Sequence, residues 1–98
     1  MLELSITPKA ESDLVGIWVY TCGEWGIEQA DEYLDKLEQG MKQLIHHPSM
    51  GASFAYILSG YRKLQVEHHA VFYRVLEREI LVVRVLHEDM DAPEWLLE

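Results

Sequence analysis

Cysteine is nearly absent: Cys22 stands alone, and one thiol cannot close an intramolecular disulfide. That excludes a disulfide-stapled scaffold, and an unpaired thiol suits a reducing compartment, so a cytoplasmic protein is expected. Basic residues are scarce too, with 8 Lys and Arg against 17 Asp and Glu and a formal charge of −9. Such a field repels phosphate and anionic lipid and argues against tight nonspecific nucleic-acid binding. Positive charge gathers only at Arg62-Lys63 and in the spaced set Arg74, Arg78 and Arg84, a thin footprint beside the basic face of a nucleic-acid binder. Nowhere do about 18 apolar residues run together, and the opening stretch from Met1 to Ser5 carries no basic region. Neither a membrane span nor a signal peptide is therefore expected.

What is present suits a folded core: 98 residues, 49% apolar and 26% charged, imply one domain spanning residues 1–98. Leu2, Leu4 and Ile6 alternate with Glu3, Ser5 and Thr7, the period of an edge strand with one wet face. Thr7-Pro8 then forms a helix start, with Thr7 as the cap and Pro8 where no N–H is needed. Ala10, Leu14, Ile17 and Trp18 recur at helical spacing, and the glycines Gly23 and Gly26 predict an end near Thr21. A longer stripe through Ala30, Tyr33, Leu34, Leu37, Met41 and Leu44 stops before Pro48 and predicts a second, antiparallel helix.

Pro48 to Gly51 reads as a turn, and Phe54 to Leu58 as a short extra strand. Tyr61–Val66, Ala70–Leu76 and Ile80–His87 are β-rich and closely joined, which predicts an antiparallel meander. Ile80–Leu86 is apolar on both faces except at Arg84, so this last strand is expected inside the sheet with the first strand beside it. The sum is an α+β, two-layer fold of order β-α-α-β-β-β with an optional extra strand. A helical hairpin covers one face of a mainly antiparallel sheet, and the other face is expected to lie open.

Three segments of the second half carry a further signal: Gly60-Tyr-Arg-Lys-Leu64, then His69-Ala-Val-Phe-Tyr-Arg74, then Val83-Arg-Val-Leu-His87 with Met90-Asp91 close behind. Together, in this order, they resemble the C-terminal half of RelE/ParE superfamily toxins of the ParE branch. Ala10, Asp13-Leu14, Ile17, Trp25-Gly26, Gln29-Ala30, Tyr33, Pro48 and Gly51 agree more loosely in the first half. The resemblance implies the fold just derived and the toxin role of a type II toxin–antitoxin pair. It further implies DNA gyrase as a target poisoned without catalysis, and neutralisation in a hetero-oligomer with a ParD-like antitoxin. No cofactor or metal is implied.

Two other functions compete with this one. Ribonuclease relatives cleave ribosome-bound messenger with cationic side chains, because charge developing on the scissile phosphate needs stabilisation. Here that equipment reduces to Arg62, Lys63, His69 and His87, and Glu88-Asp89-Met90-Asp91 places acid where phosphate would lie. A non-toxic co-regulator that only binds its antitoxin is the other reading. The doublets His46-His47 and His68-His69, and His87 with Asp89 and Asp91, match no established metal-ligand spacing, so ordinary surface histidines are expected.

Arg84 in an apolar strand demands a carboxylate, from Asp13 or Asp91. In the segment 91–98, Asp91 and Pro93 start a helical turn, and Trp95, Leu96 and Leu97 either pack on the sheet or meet the target. The family associates its C-terminal region with gyrase inhibition. The target-contact candidates are thus Arg62, Lys63, His87, Met90, Asp91, Trp95, Leu96 and Leu97. Trp18, Trp25, Tyr33 and Leu37 on the helical hairpin are the antitoxin-contact candidates.

Overall fold

The computed structural model describes residues 2–97. Its elements are β1 (Glu3–Ile6), α1 (Pro8–Trp25), α2 (Ile27–Gln43), β2 (Ala52–Ser53), β3 (Arg62–Val66), β4 (His69–Val75), β5 (Glu79–His87) and α3 (Ala92–Leu96). Thr7 makes the first corner: its Oγ1 accepts the Ala10 N–H at 3.1 Å and donates to the Val83 carbonyl at 2.7 Å. One hydroxyl thus caps α1 and pins it to β5.

The first helix runs past Thr21 to Trp25. Gly23 stays helical, and only at Gly26 does φ swing to +92°, a left-handed value that L side chains resist. Gly26 is therefore the hinge of the helical hairpin. Ala10 and Ile17 of α1, Leu37 and Met41 of α2 and Leu44 just after it bury against Val71, Tyr73, Ile80, Val82 and Val85 of the sheet.

The strands run in the order β1-β5-β4-β3-β2, with β1 parallel to β5 and the other pairs antiparallel. The pairing of β1 ends at Ile6 opposite Val82, so the outer edge of β5 continues beyond it without a neighbouring strand. Register slips between Phe72 and Tyr73: Phe72 faces Arg84 while Tyr73 faces Val82, leaving Val83 as a bulge. The extra residue lets Val82 and Val85 both face the helices while Leu86 turns to the other side.

That other side is not open. Phe54, Ala70, Phe72 and Leu86 form a second core, roofed by Leu58, Tyr61, Met90, Ala92 and Leu96. Nor do residues 54–58 form a strand: the short strand lies at Ala52–Ser53, opposite Lys63 and Arg62. Phe54 leaves the sheet edge to stack edge-on against Phe72 at 5.2 Å, and its carbonyl accepts the N–H groups of Ile57 and Leu58 in a tight turn. Burying that ring outweighs extending a two-residue edge strand.

Gly51 shows the same economy on the first core. The buried Tyr73 hydroxyl donates to the Pro48 carbonyl at 2.7 Å and accepts the Gly51 N–H at 3.0 Å. A Cβ at Gly51 would stand 2.7 Å from that hydroxyl.

Candidate functional site

Because β1 stops at Ile6, nothing separates the middle of α1 from the outer edge of β5, and an open groove of about 940 Å³ lies between them. Val85, Leu86 and His87 form its floor, with Met90 at one end. Ser12, Gly16, Ile17 and Tyr20 of α1 form one wall, and Tyr33, Lys36 and Glu67 lie beyond the floor. Gly16 and Ser12 are too small to fill the space.

At the groove's inner corner Asp13 grips Arg84 in two parallel hydrogen bonds of 2.8 Å, to Nε and Nη2. Asp13 Oδ2 also accepts the Val85 N–H at 3.0 Å, replacing the strand partner that β1 no longer supplies. The Arg84 Nη1 donates to the Trp95 carbonyl at 3.2 Å, and the guanidinium lies 5.8 Å from the Trp95 ring centroid. Of the two carboxylates the sequence offered, Asp13 is the partner. The pair ties α1, β5 and α3 together, and its fork geometry offsets the desolvation of both ions.

At the other side of the floor a polar chain crosses from sheet to helix. Tyr33 accepts the His68 N–H at 3.1 Å and lies 2.6 Å from His69 Nδ1. In the neutral tautomer with its proton on Nε2, His69 Nδ1 accepts the hydrogen of that hydroxyl. His69 also faces the His87 ring edge-on at 5.2 Å across the strand pair. Burial, and then the neighbouring His87 and His68, push the His69 pKa down to about 4 from 6.5. Burial likewise raises the Tyr33 pKa, helped by Glu67 and Glu88 and opposed by the His68 N–H.

The residues singled out in the sequence separate into groups. Trp25, Tyr33, His87 and Met90 line the groove. Arg62 and Lys63 lie two strands away from β5, and Arg62 is occupied with the Gly51 carbonyl at 3.0 Å and the Ser49 carbonyl at 3.1 Å. Trp18 is half-buried and donates its indole N–H to Asp31 at 2.9 Å. Leu37 is fully buried in the first core and offers no surface to a partner, which corrects its place among the contact candidates. In the tail, Asp91 precedes α3 without a capping hydrogen bond from its side chain, Leu96 packs into the second core, and Leu97 is exposed. His87 Nδ1 accepts the Asp89 N–H at 3.1 Å.

Sequence reasoning missed the α1 wall. Val15, Val19 and Tyr20 are largely exposed, as are Trp25 and Ile27 at the hairpin tip. The signal was there: these residues fall off the Ala10-Leu14-Ile17 stripe, so α1 is apolar around more than its buried face.

A family model described as "ParE toxin of type II toxin-antitoxin system, parDE" matches residues 4–92. The chain belongs to the ParE toxin family. Toxin ParE1 of Caulobacter vibrioides is 38% identical over 92 residues, covering 94% of this chain and 95% of the relative. Toxin ParE1 of Mycobacterium tuberculosis is 41% identical over 88 residues, covering 89% and 90% respectively. A solved structure described as "Chromosomal ParDE TA system from P. aeruginosa" superposes with a TM-score of 0.79 at 27% identity, covering 89% of this chain and 96% of that one. The ParE resemblance and its helical hairpin on a mixed sheet therefore hold, and the chain is the toxin component of a type II toxin–antitoxin system, with an antitoxin as its partner. No described helix is long and apolar enough to cross a membrane.

Proposed function

We propose that this ParE toxin acts in the cytoplasm as one domain, poisons DNA gyrase by binding rather than catalysis, and is neutralised by a ParD-like antitoxin laid along the α1 groove. The observation carrying the non-catalytic reading is the commitment of candidate cations, in the groove and outside it. Arg84 is held by Asp13, Arg62 by loop carbonyls, and His69 is neutral well above pH 4. A phosphoryl-transfer site needs positive charge aimed at the developing phosphorane, and this groove instead gathers Asp13 and Glu67, with Glu88 against His68. The acidic surface suits a protein target and a basic partner segment.

The antitoxin reading draws support from exposed apolar area. Tyr20 and Trp25 at the groove mouth, with Val15 and Val19 on the outer face of α1, form a surface suited to an amphipathic or extended partner segment. Gyrase contact is assigned to the tail, where Leu97 and the edge of Trp95 stay exposed while Leu96 anchors α3.

Induction of the chain in growing cells tests the whole reading. It predicts a DNA-damage response and growth arrest, both reversed by co-expressing the antitoxin encoded beside it. Loss of messenger without DNA damage would install the ribonuclease reading, and normal growth the co-regulator one.

A further inference from the structure

The groove floor carries a main-chain feature that side chains do not explain. In the β4–β5 ladder, Glu88 N–H donates to the His68 carbonyl, and residues pair so that positions 69 and 87, 70 and 86, and 71 and 85 stand opposite. An antiparallel ladder alternates, so the N–H and C=O groups of Leu86 point to β4 while those of Val85 and His87 point to the outer edge. Of these four outer groups, Asp13 takes the Val85 N–H at 3.0 Å and the Met90 N–H takes the His87 carbonyl at 3.0 Å. The Val85 carbonyl and the His87 N–H meet no backbone or side-chain partner among the described residues.

These two groups have the spacing by which one residue of a parallel strand bridges its neighbour, donating to one position and accepting from the position two further on. The chain already uses that arrangement lower on the same edge, where Ser5 of β1 sits opposite Leu81, between Ile80 and Val82. An antiparallel partner is disfavoured, because it would need both the N–H and the C=O of Val85, and Asp13 holds the N–H.

We infer that Val85 C=O and His87 N–H form a one-residue backbone clamp for an extended segment of the antitoxin running parallel to β5, with its bridging residue opposite Leu86. This rests on the antitoxin reading above and specifies its contact. The bridging side chain lies beside Leu86 and Met90 and is apolar. The residues flanking it meet the α1 wall on one side and the His69–Tyr33 pair on the other. A chain of charge −9 favours a basic segment and disfavours a second copy of itself in the same place. Asp13 sets where the clamp begins, and the turn from His87 to Met90 sets where it ends.

Amide exchange on isotope-labelled chain, alone and in complex with the co-expressed antitoxin, tests this. An unbonded amide exchanges without unfolding, so general stabilisation by the partner leaves it unchanged. The His87 amide should exchange fast in the free chain and slow at least about tenfold in the complex, with a coupling across the new hydrogen bond from His87 N to an antitoxin carbonyl carbon. The Glu88 amide is bonded in both states and keeps its bond to His68. A complex in which the His87 amide still exchanges fast, or slows without that coupling, overturns the clamp while leaving the antitoxin reading intact. Concentration-dependent protection of His87 in the chain alone would assign the edge to a second copy. Failure of any complex to form refutes the antitoxin reading and the clamp together.

Discussion

Asp13 and Arg84 meet through two 2.8 Å hydrogen bonds, and the same carboxylate satisfies the Val85 N–H on the stretch of β5 that β1 does not reach. A helix side chain thus substitutes for a missing strand. The pair closes one end of the groove and leaves the next carbonyl and N–H of the edge open.

Asp13→Ala should take the carboxylate from a buried guanidinium and the acceptor from an edge N–H, and destabilise the chain by about 3–5 kcal/mol. Asp13→Asn keeps the shape and some hydrogen bonds and should cost less. Equilibrium urea unfolding measures both, and a loss below about 1 kcal/mol for the alanine variant would show a pair of the weak, solvated kind.

Tyr73→Phe removes one hydroxyl that serves both the Pro48 carbonyl and the Gly51 N–H. The expected cost is about 1–3 kcal/mol, that of leaving buried backbone groups unpaired. Gly51→Ala should also destabilise, since its Cβ would stand 2.8 Å from the Lys63 carbonyl as well as against the Tyr73 hydroxyl. Thermal melts of the two single variants and the double should show that the losses do not add, because both act on one contact.

The His69 pKa of about 4 lies below its ordinary 6.5, so between those values the unfolded chain binds the proton and the folded chain does not. Its contribution to stability is therefore complete above pH 6.5 and is lost as pH falls toward 4. With solvent screening at this half-exposed ring, that loss is roughly 1–2 kcal/mol. His69→Gln should flatten the stability profile in that window relative to the parent. Tyr33→Phe removes the hydroxyl hydrogen-bonded to Nδ1 and should move the His69 titration midpoint, read from the ring proton shifts.

The tail should divide in its effects. Leu97→Ala touches an exposed side chain and should change stability by less than about 0.5 kcal/mol, while weakening toxicity if the tail meets gyrase. Leu96→Ala should lower stability, because Leu96 packs into the second core. Deleting residues 92–98 removes that packing and the Trp95 carbonyl bonded to Arg84, yet leaves the first core and should yield a folded chain without toxicity. Melting curves beside growth assays separate these outcomes, and a folded truncation that still arrests growth would remove the tail from the mechanism.

Periodicity made much of this architecture legible. The alternation from Leu2 to Thr7, the Thr7-Pro8 corner and the apolar run of β5 gave the strand pairing and the hairpin layer. Two kinds of feature stayed hidden. The glycine signal at residues 23 and 26 was ambiguous, because only the φ actually adopted tells a tolerated helical glycine from a hinge, and that depends on where the hairpin must turn. The bulge at Val83 depends on tertiary packing, and without its position the face of Arg84, the roofing of the second core and the open edge of β5 cannot be placed. Asp13 was visible as one of two possible partners for Arg84, whereas its bond to the Val85 N–H required the length of β1.

The central claim, that this toxin acts on gyrase by binding, is tested most directly by incubating purified chain with gyrase, ATP and supercoiled plasmid and measuring the fraction of linear DNA after protein removal. The account predicts that linear DNA accumulates with toxin, requires gyrase, and disappears when the antitoxin is added first. Unchanged plasmid, together with codon-spaced cleavage of ribosome-bound messenger that is lost on Arg62→Ala or His87→Ala, would contradict it.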